Sequence, residues 1–291
     1  MSNLQGVTIL EEIKNEIIDF IKKEFKKYKY FGAVIGISGG IDSTVTADLL
    51  VKALGTKRVF GMLMPERDSY KDTLKDSKLV CNHLGIDYKV VRLSPVLRKM
   101  DVYKMKPPAK IFPRKYQESY AKKQWENVQS PYIKDLKNSG GNENRKNLAY
   151  YRVKHRLRMT YLYLEAEKKG YAVVGATNKT ELKTGFYVKW GDESCDLDPI
   201  LHLYKTQVFD LGRYLEIPKK ILAKKPSPDI APGIDDEYAL GIDYKSLDKI
   251  LMKIENNESL EAEKESDVKK VKEILEFAIL RSVKSENLLK K

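Results

Sequence analysis

Cysteine is almost missing from these 291 residues: only Cys81 and Cys195 occur, far apart and outside any C-x-x-C spacing, which excludes a disulfide framework and a zinc knuckle. Long apolar runs are absent too. No stretch approaches membrane-spanning length, and the N-terminal segment around Leu10-Glu11-Glu12-Ile13 sets charges between apolar residues at helical spacing, unlike a secretory leader. The expectation is a soluble, cytoplasmic protein without a membrane partner. Histidine is scarce, and His83, His155 and His202 stand without metal-ligand spacing to one another, so no metal triad is visible. Neither a Walker Gly-Lys-Ser/Thr loop nor a G-x-G-x-x-G turn is present.

Positive charge, in contrast, is plentiful. Lys and Arg total 54 against 41 Asp and Glu, a formal net charge of +13, which favours phosphate-bearing partners, whether nucleotides or nucleic acid. The lysines are scattered over nearly every expected helix, the pattern of a solvated surface, so nucleic acid is the less favoured partner. A composition that is 42% hydrophobic suffices for a sizeable core.

The apolar pattern alternates between strand and helix. An amphipathic helix is expected over about residues 8–27, then a short buried strand Ala33–Ile37, a helix Thr44–Leu54 and a strand Val59–Met64. Asp72–Leu84 reads as helix, Tyr88–Leu93 as strand, Arg156–Lys168 as helix and Ala172–Gly175 as a fourth strand. Such alternation predicts an α/β chain with a doubly wound parallel sheet flanked by helices. The pattern breaks over about 98–147, where Pro, Lys, Tyr and Asn predominate, so a surface insertion or lid is expected there. Trp125 and the tyrosines at 116, 120 and 132 alternate with lysines in it, a composition suited either to stacking on a ring or to packing a lid onto the body. A helical part follows from about 237 to 291, ending in an amphipathic helix from Asp267 to about Lys284. One domain accounts for the whole chain.

The first strand runs into Gly36-Ile37-Ser38-Gly39-Gly40-Ile41-Asp42-Ser43, a turn at the point where a parallel sheet presents a ligand crevice. Glycines at 36, 39 and 40 let backbone amides approach a phosphate, Ser38 and Ser43 can donate to its oxygens, and the next helix offers its positive end. Asp42 would repel phosphate unless a divalent cation lay between them, and so it is assigned to magnesium. Taken by itself the turn also fits an ordinary glycine-rich connection with Asp42 or Ser43 as a helix cap.

As a whole, the string resembles the S-G-G-x-D-S loop of the PP-loop, or N-type, ATP pyrophosphatases, which transfer AMP to an acceptor while the loop holds pyrophosphate. Three further stretches resemble NAD synthetase: Val153-Lys154-His155-Arg156-Leu157-Arg158-Met159; Gly175-Ala176-Thr177-Asn178-Lys179-Thr180-Glu181 with Gly185 to Asp192; and Asp196-Leu197-Asp198-Pro199-Ile200 followed by Leu203-Tyr204-Lys205-Thr206. Pro226-Ser227-Pro228-Asp229 and Asp236-Glu237 to Gly241 continue it in order. The resemblance implies a Rossmann-like fold of the adenine nucleotide alpha-hydrolase type, and a ligase that adenylates the nicotinate carboxylate of deamido-NAD and passes ammonia to it. It also implies catalytic Asp42 and Lys205; Lys205 and Ser227 on ATP with the loop; Glu181 as a second magnesium ligand; and Arg156, Lys189 and Asp196 on the acceptor. Mg2+ is the expected cofactor, ammonia or a separate glutaminase the nitrogen source, and a homodimer the expected assembly.

Gly191-Asp192-Glu193-Ser194 stands where the family usually has Gly-Asp-Gly-Gly, Ala176 where a threonine usually touches ATP, and Arg281 to Ser285 shows no clear counterpart of the C-terminal His-Lys pair. These departures keep other readings open: the same adenylation on a different carboxylic acid, a tRNA-modifying PP-loop enzyme, or a nucleotide sensor without turnover. Cys195 lies inside the altered loop and reads as a small filler rather than a nucleophile.

Overall fold

The computed structural model describes residues 3–106, 131–227 and 235–281. The first half alternates regularly: α1 (Asn3–Tyr28), β1 (Ala33–Gly36), α2 (Ile41–Leu54), β2 (Val59–Leu63), α3 (Thr73–Leu84), β3 (Asp87–Val90) and α4 (Ser94–Lys99). After the undescribed residues come α5 (Pro131–Leu136), the long α6 (Asn142–Lys169), β4 (Ala172–Val174), α7 (Lys179–Thr184), α8 (Lys205–Tyr214) and the short α9 (Lys219–Leu222). Three helices end the described chain: α10 (Asp236–Leu240), α11 (Tyr244–Glu255) and α12 (Glu265–Ala278).

All four strands are parallel, in the order β3-β2-β1-β4. Both faces of the sheet are covered, which is why its central strands are short apolar runs rather than alternating ones. Ala33, Ile35, Ala172 and Val174 point into a core with Ile17, Ile21 and Phe25 of α1, Leu49 of α2, Val80 of α3 and Leu211 of α8. Val34, Met62 and Val173 point the other way, onto Leu97 of α4 and Tyr150 and Ala166 of α6. The chain leaves β1 for β2 and β3 on one side and returns to β4 on the other. The crevice beyond the carboxyl ends of β1 and β4 is therefore the switch point where a doubly wound sheet binds ligands.

A second core lies among the later helices, where Tyr244, Leu247 and Leu251 of α11 and Val271 and Ile274 of α12 bury against one another. Tyr132, Ile133 and Leu136 of α5 are buried in it, so this part of 98–147 contributes to a core. Tyr132 also donates its hydroxyl to the carbonyl of Thr184 at 2.6 Å. Tyr116, Tyr120 and Trp125 lie outside the described residues. Among the described residues no helix is long and apolar enough to cross a membrane.

Helix α6 begins at Asn142, well before the Arg156 expected from periodicity. Its first turns are held by polar contacts that leave no apolar stripe in the sequence. Lys154, 4% exposed, donates to Glu66 at 2.9 Å and Asp68 at 3.0 Å, while Arg67 donates to the Tyr150 hydroxyl at 2.8 Å. Glu66, Arg67 and Asp68 sit just beyond β2, so this buried network fastens α6 to the sheet.

Candidate active site

The glycine-serine string Gly36 to Ser43 fills the turn from β1 to α2. Gly39 takes φ +72°, and a Cβ there would stand 2.7 Å from Cβ of Asp76 in α3, so both the left-handed backbone and the close approach require glycine. Gly40 caps α2 with extended backbone. The two serines face each other across the loop, their hydroxyls 3.0 Å apart, with the amide of Gly40 donating to Ser38 Oγ at 3.2 Å and that of Ser38 to Ser43 Oγ at 3.4 Å. Gly36 ends β1, and a Cβ there would meet only ordinary contacts. Hydroxyls and amides are thus gathered at the positive end of a 14-residue helix, the arrangement that suits an oxyanion ligand.

Asp42 lies one residue into α2 and reaches across the switch point. Its Oδ2 accepts from Lys205 Nζ at 2.6 Å and its Oδ1 from Asn178 Nδ2 at 2.9 Å. Lys205 opens α8, is 1% exposed, and lies 3.5 Å from Glu181 Oε1 as well. Glu181 is fixed by a capping box at the start of α7: its amide donates to Asn178 Oδ1 at 3.0 Å and its Oε2 accepts the Asn178 amide at 3.2 Å. Asp236 of α10 is a third carboxylate near Lys205, 4% exposed, and accepts from the Tyr244 hydroxyl at 2.8 Å.

One buried ammonium therefore faces three carboxylates. Burial alone would lower the Lys205 pKa, but Asp42 and Glu181 hold it above its ordinary value. Burial pushes Glu181 up to about 8 against the pull of Lys205, with Asp42 adding to the rise, and burial pushes Asp236 up to about 6. Asp236 Oδ1 is buried without a hydrogen-bond partner. Surplus negative charge and an orphaned carboxylate oxygen fit a divalent cation. Among the described residues no group of three or more His, Cys, Asp or Glu side chains could hold a metal ion by itself.

The residues expected on the acceptor are not joined to this cluster by hydrogen bonds; their contacts are local. Arg156 donates from Nε and Nη2 to the carbonyl of Lys189 at 3.2 and 3.1 Å, and Lys189 Nζ lies 5.6 Å from the Trp190 ring centre. Asp196 accepts from the amide of Val173 at 2.8 Å and the Tyr163 hydroxyl at 3.3 Å, alongside β4. Half-buried Ser227 follows Pro226, whose carbonyl accepts the amide of Asp236 at 3.1 Å. In the altered loop the Glu193 carboxylate turns back on its own backbone, accepting the amides of Trp190 at 2.6 Å and Gly191 at 2.9 Å. Its charge is taken up by the loop. Burial and the neighbouring Asp198 raise the Cys195 thiol well above its ordinary pKa, which disfavours the nucleophilic thiolate.

Several residues at the site carry no motif of their own. Asp76 presses against Gly39, forms an ion pair with Lys220 at 2.5 Å and accepts from Lys224 at 3.2 Å, while Lys224 also donates to the Gly39 carbonyl at 3.2 Å. Asn178 was visible only as one letter of a longer match. Asp236 was likewise visible only as the start of a matching stretch and Tyr244 not at all, and only folding reveals that they meet Lys205.

A family model described as NAD synthase matches residues 13–115 and 114–286. An NH(3)-dependent NAD(+) synthetase from Thermotoga neapolitana is 50% identical over 279 residues, covering 96% of this chain and 95% of its own. One from Thermotoga maritima is 51% identical over 267 residues, covering 91% and 95%. Matches of that extent take in the long 98–147 segment and the altered loop. Among solved structures, NMN synthetase from Francisella tularensis superposes with a TM-score of 0.73 at 24% identity, covering 96% of this chain and 97% of that one. An NH3-dependent NAD synthetase from Campylobacter jejuni gives 0.70, also at 24%, with 96% and 98% covered. Both superpositions bear on the fold, which proteins named for two different products share, so the choice of acceptor rests on the sequence relatives.

Proposed function

We propose that this chain, which belongs to the NAD synthase family, is a carbon–nitrogen ligase that adenylates the nicotinate carboxylate of deamido-NAD with ATP and transfers ammonia to it, releasing AMP and pyrophosphate. The observation that carries the chemistry is Lys205, buried at the switch point, paired with Asp42 and facing the glycine-serine loop. In this reading the loop from Gly36 to Ser43, with Ser227, grips the pyrophosphate end of ATP. Lys205 places a fixed positive charge where negative charge grows as the carboxylate attacks the α-phosphorus, in a site shielded from water. Because the ammonium is held in place before reaction, little reorganisation accompanies the charge transfer.

Asp42 and Glu181 are the residues that would hold Mg2+, which when bound supplies charge neutralisation for the leaving pyrophosphate. Asn178 orients both carboxylates, donating from Nδ2 to Asp42 and from its backbone amide to Glu181 Oε2. Arg156, Lys189 and Asp196 are proposed to meet the acceptor, through a surface that their local bonds leave ordered. A homodimer is the proposed assembly; Ile279 and Leu280, 75% and 66% exposed, support a covered face near the C-terminal helices. The NH3 dependence in the relatives' names supports free ammonia as the nitrogen source.

The test is substrate-dependent pyrophosphate release. Deamido-NAD with ammonia and magnesium should produce AMP, pyrophosphate and NAD in equal amounts. Silence with deamido-NAD but turnover with another carboxylic acid would overturn the acceptor, and ATP binding without pyrophosphate release on any acid would overturn the ligase.

A further inference from the structure

Asp248 is 1% exposed in the middle of α11, outside every stretch that carries the family resemblance. Both of its oxygens are used at the roots of the two helices that carry Glu181 and Lys205. Oδ1 accepts from the Thr180 hydroxyl at 2.5 Å, and Oδ2 accepts from the amide of Thr206 at 2.8 Å. The Thr180 hydroxyl in turn accepts the amide of Lys205 at 2.9 Å. Since Thr180 precedes Glu181 and Thr206 follows Lys205, one carboxylate fixes the first turns of α7 and α8 against each other. A second tie runs the same way, from the amide of Lys179 to the carbonyl of Leu203 at 2.7 Å.

We infer that Asp248 is a positioning residue for the adenylation step, setting through Thr180 the backbone from which Lys205 reaches Asp42. This rests on the proposed role of Lys205. Two features distinguish the relay from an ordinary helix cap. A cap serves the helix that it precedes, usually from the adjoining residue, whereas Asp248 comes from a separate helix of the second core and serves two helix starts at once. The relay is also directional: the Thr180 hydroxyl gives its only proton to Asp248 and keeps a lone pair for the Lys205 amide. An amide side chain at 248 cannot replace the carboxylate. With its NH2 toward Thr206 two donors would meet, and with its NH2 toward Thr180 the threonine proton would lose its acceptor. A small displacement of the helix start would be felt at the Lys205 ammonium, whose value to the reaction depends on placement rather than on covalent chemistry.

The experiment compares Thr180→Val, which keeps shape and removes the relay, with Thr180→Ser, which keeps the hydroxyl, in the full-length enzyme. Thr180→Val should lower kcat for pyrophosphate release roughly 10- to 100-fold with KM for ATP unchanged, and Thr180→Ser should restore it. Should Thr180→Val fail to give a cooperative melting transition, Asp248→Asn is read in its place, with the same loss of kcat expected. Wild-type kcat in the folded Thr180→Val or Asp248→Asn enzyme would overturn the proposal, as would a loss in Thr180→Ser equal to that in Thr180→Val. Lys205→Met is the control that separates the two levels: if it stays active, the role of Lys205 falls and this inference with it; if it is inactive while Thr180→Val is normal, only the inference falls.

Discussion

Asp42 has both carboxylate oxygens engaged, one with Lys205 and one with Asn178. Asp42→Asn keeps the shape and a hydrogen-bonding edge but removes the charge that pairs with Lys205 and that the proposed Mg2+ would need. Pyrophosphate release should fall to near zero while the circular dichroism spectrum stays native; near-normal turnover would refute the assigned role. Asp68 makes a different prediction. Burial pushes its carboxyl up, but Arg67, Lys154 and Tyr150 outweigh burial and hold it below the ordinary carboxylate range. A folded pKa below the unfolded one gives stability that is fully present above the unfolded value, about 4, and is lost as pH falls through the folded value. Asp68→Asn should therefore cost about 3 kcal/mol at pH 7 by leaving Lys154 and Arg67 with fewer partners. In urea melts its deficit against the wild type should shrink as the buffer is taken from pH 7 to pH 3; a constant deficit would contradict the shift.

At the scale of elements, the turn from β1 to α2 was readable because each of its residues has a local duty, and Gly39 has the strictest. Gly39→Ala combines a left-handed backbone, which costs roughly 1–2 kcal/mol for a residue with a Cβ, with the contact to Asp76. Calorimetric titration should show ATP binding largely lost, and wild-type affinity would show that the loop tolerates a shift at this point. Helix α6 was half hidden for the opposite reason. Its early turns are anchored by Tyr150 and Lys154 on the charged cluster beyond β2, and such contacts leave no 3.6-residue apolar period to read. Helix α5 was hidden because a six-residue helix with three buried side chains is too short to show a period at all.

For the whole molecule, a ligand that binds only the folded state stabilises it by mass action. Mg–ATP at a hundred times its Kd should add about 2.7 kcal/mol and raise the melting temperature by roughly 5–10 °C. Asp42→Asn should lose most of that shift, and EDTA should abolish it in the wild type. A shift that persists undiminished in EDTA would mean that ATP is held without a metal. The charge of +13 then reads as a solvated surface that also attracts nucleotide phosphates, and relatives at half identity give the tRNA-modifying reading no support.

Sequence alone determined the alternating α/β plan, because buried parallel strands are apolar, and the class of reaction, through the resemblance of the glycine-serine turn and the later stretches to a known family. It also supplied Asp42, Glu181 and Lys205 as separate letters. That these three meet around one buried ammonium was decided only by tertiary structure, since the strand order β3-β2-β1-β4 brings the ends of β1 and β4 together. The parts played by Asp236, Tyr244 and Asp248 were likewise settled by packing. A buried acid on an amphipathic helix looks the same in sequence as a solvated one, and its surroundings exist only once the second core has formed.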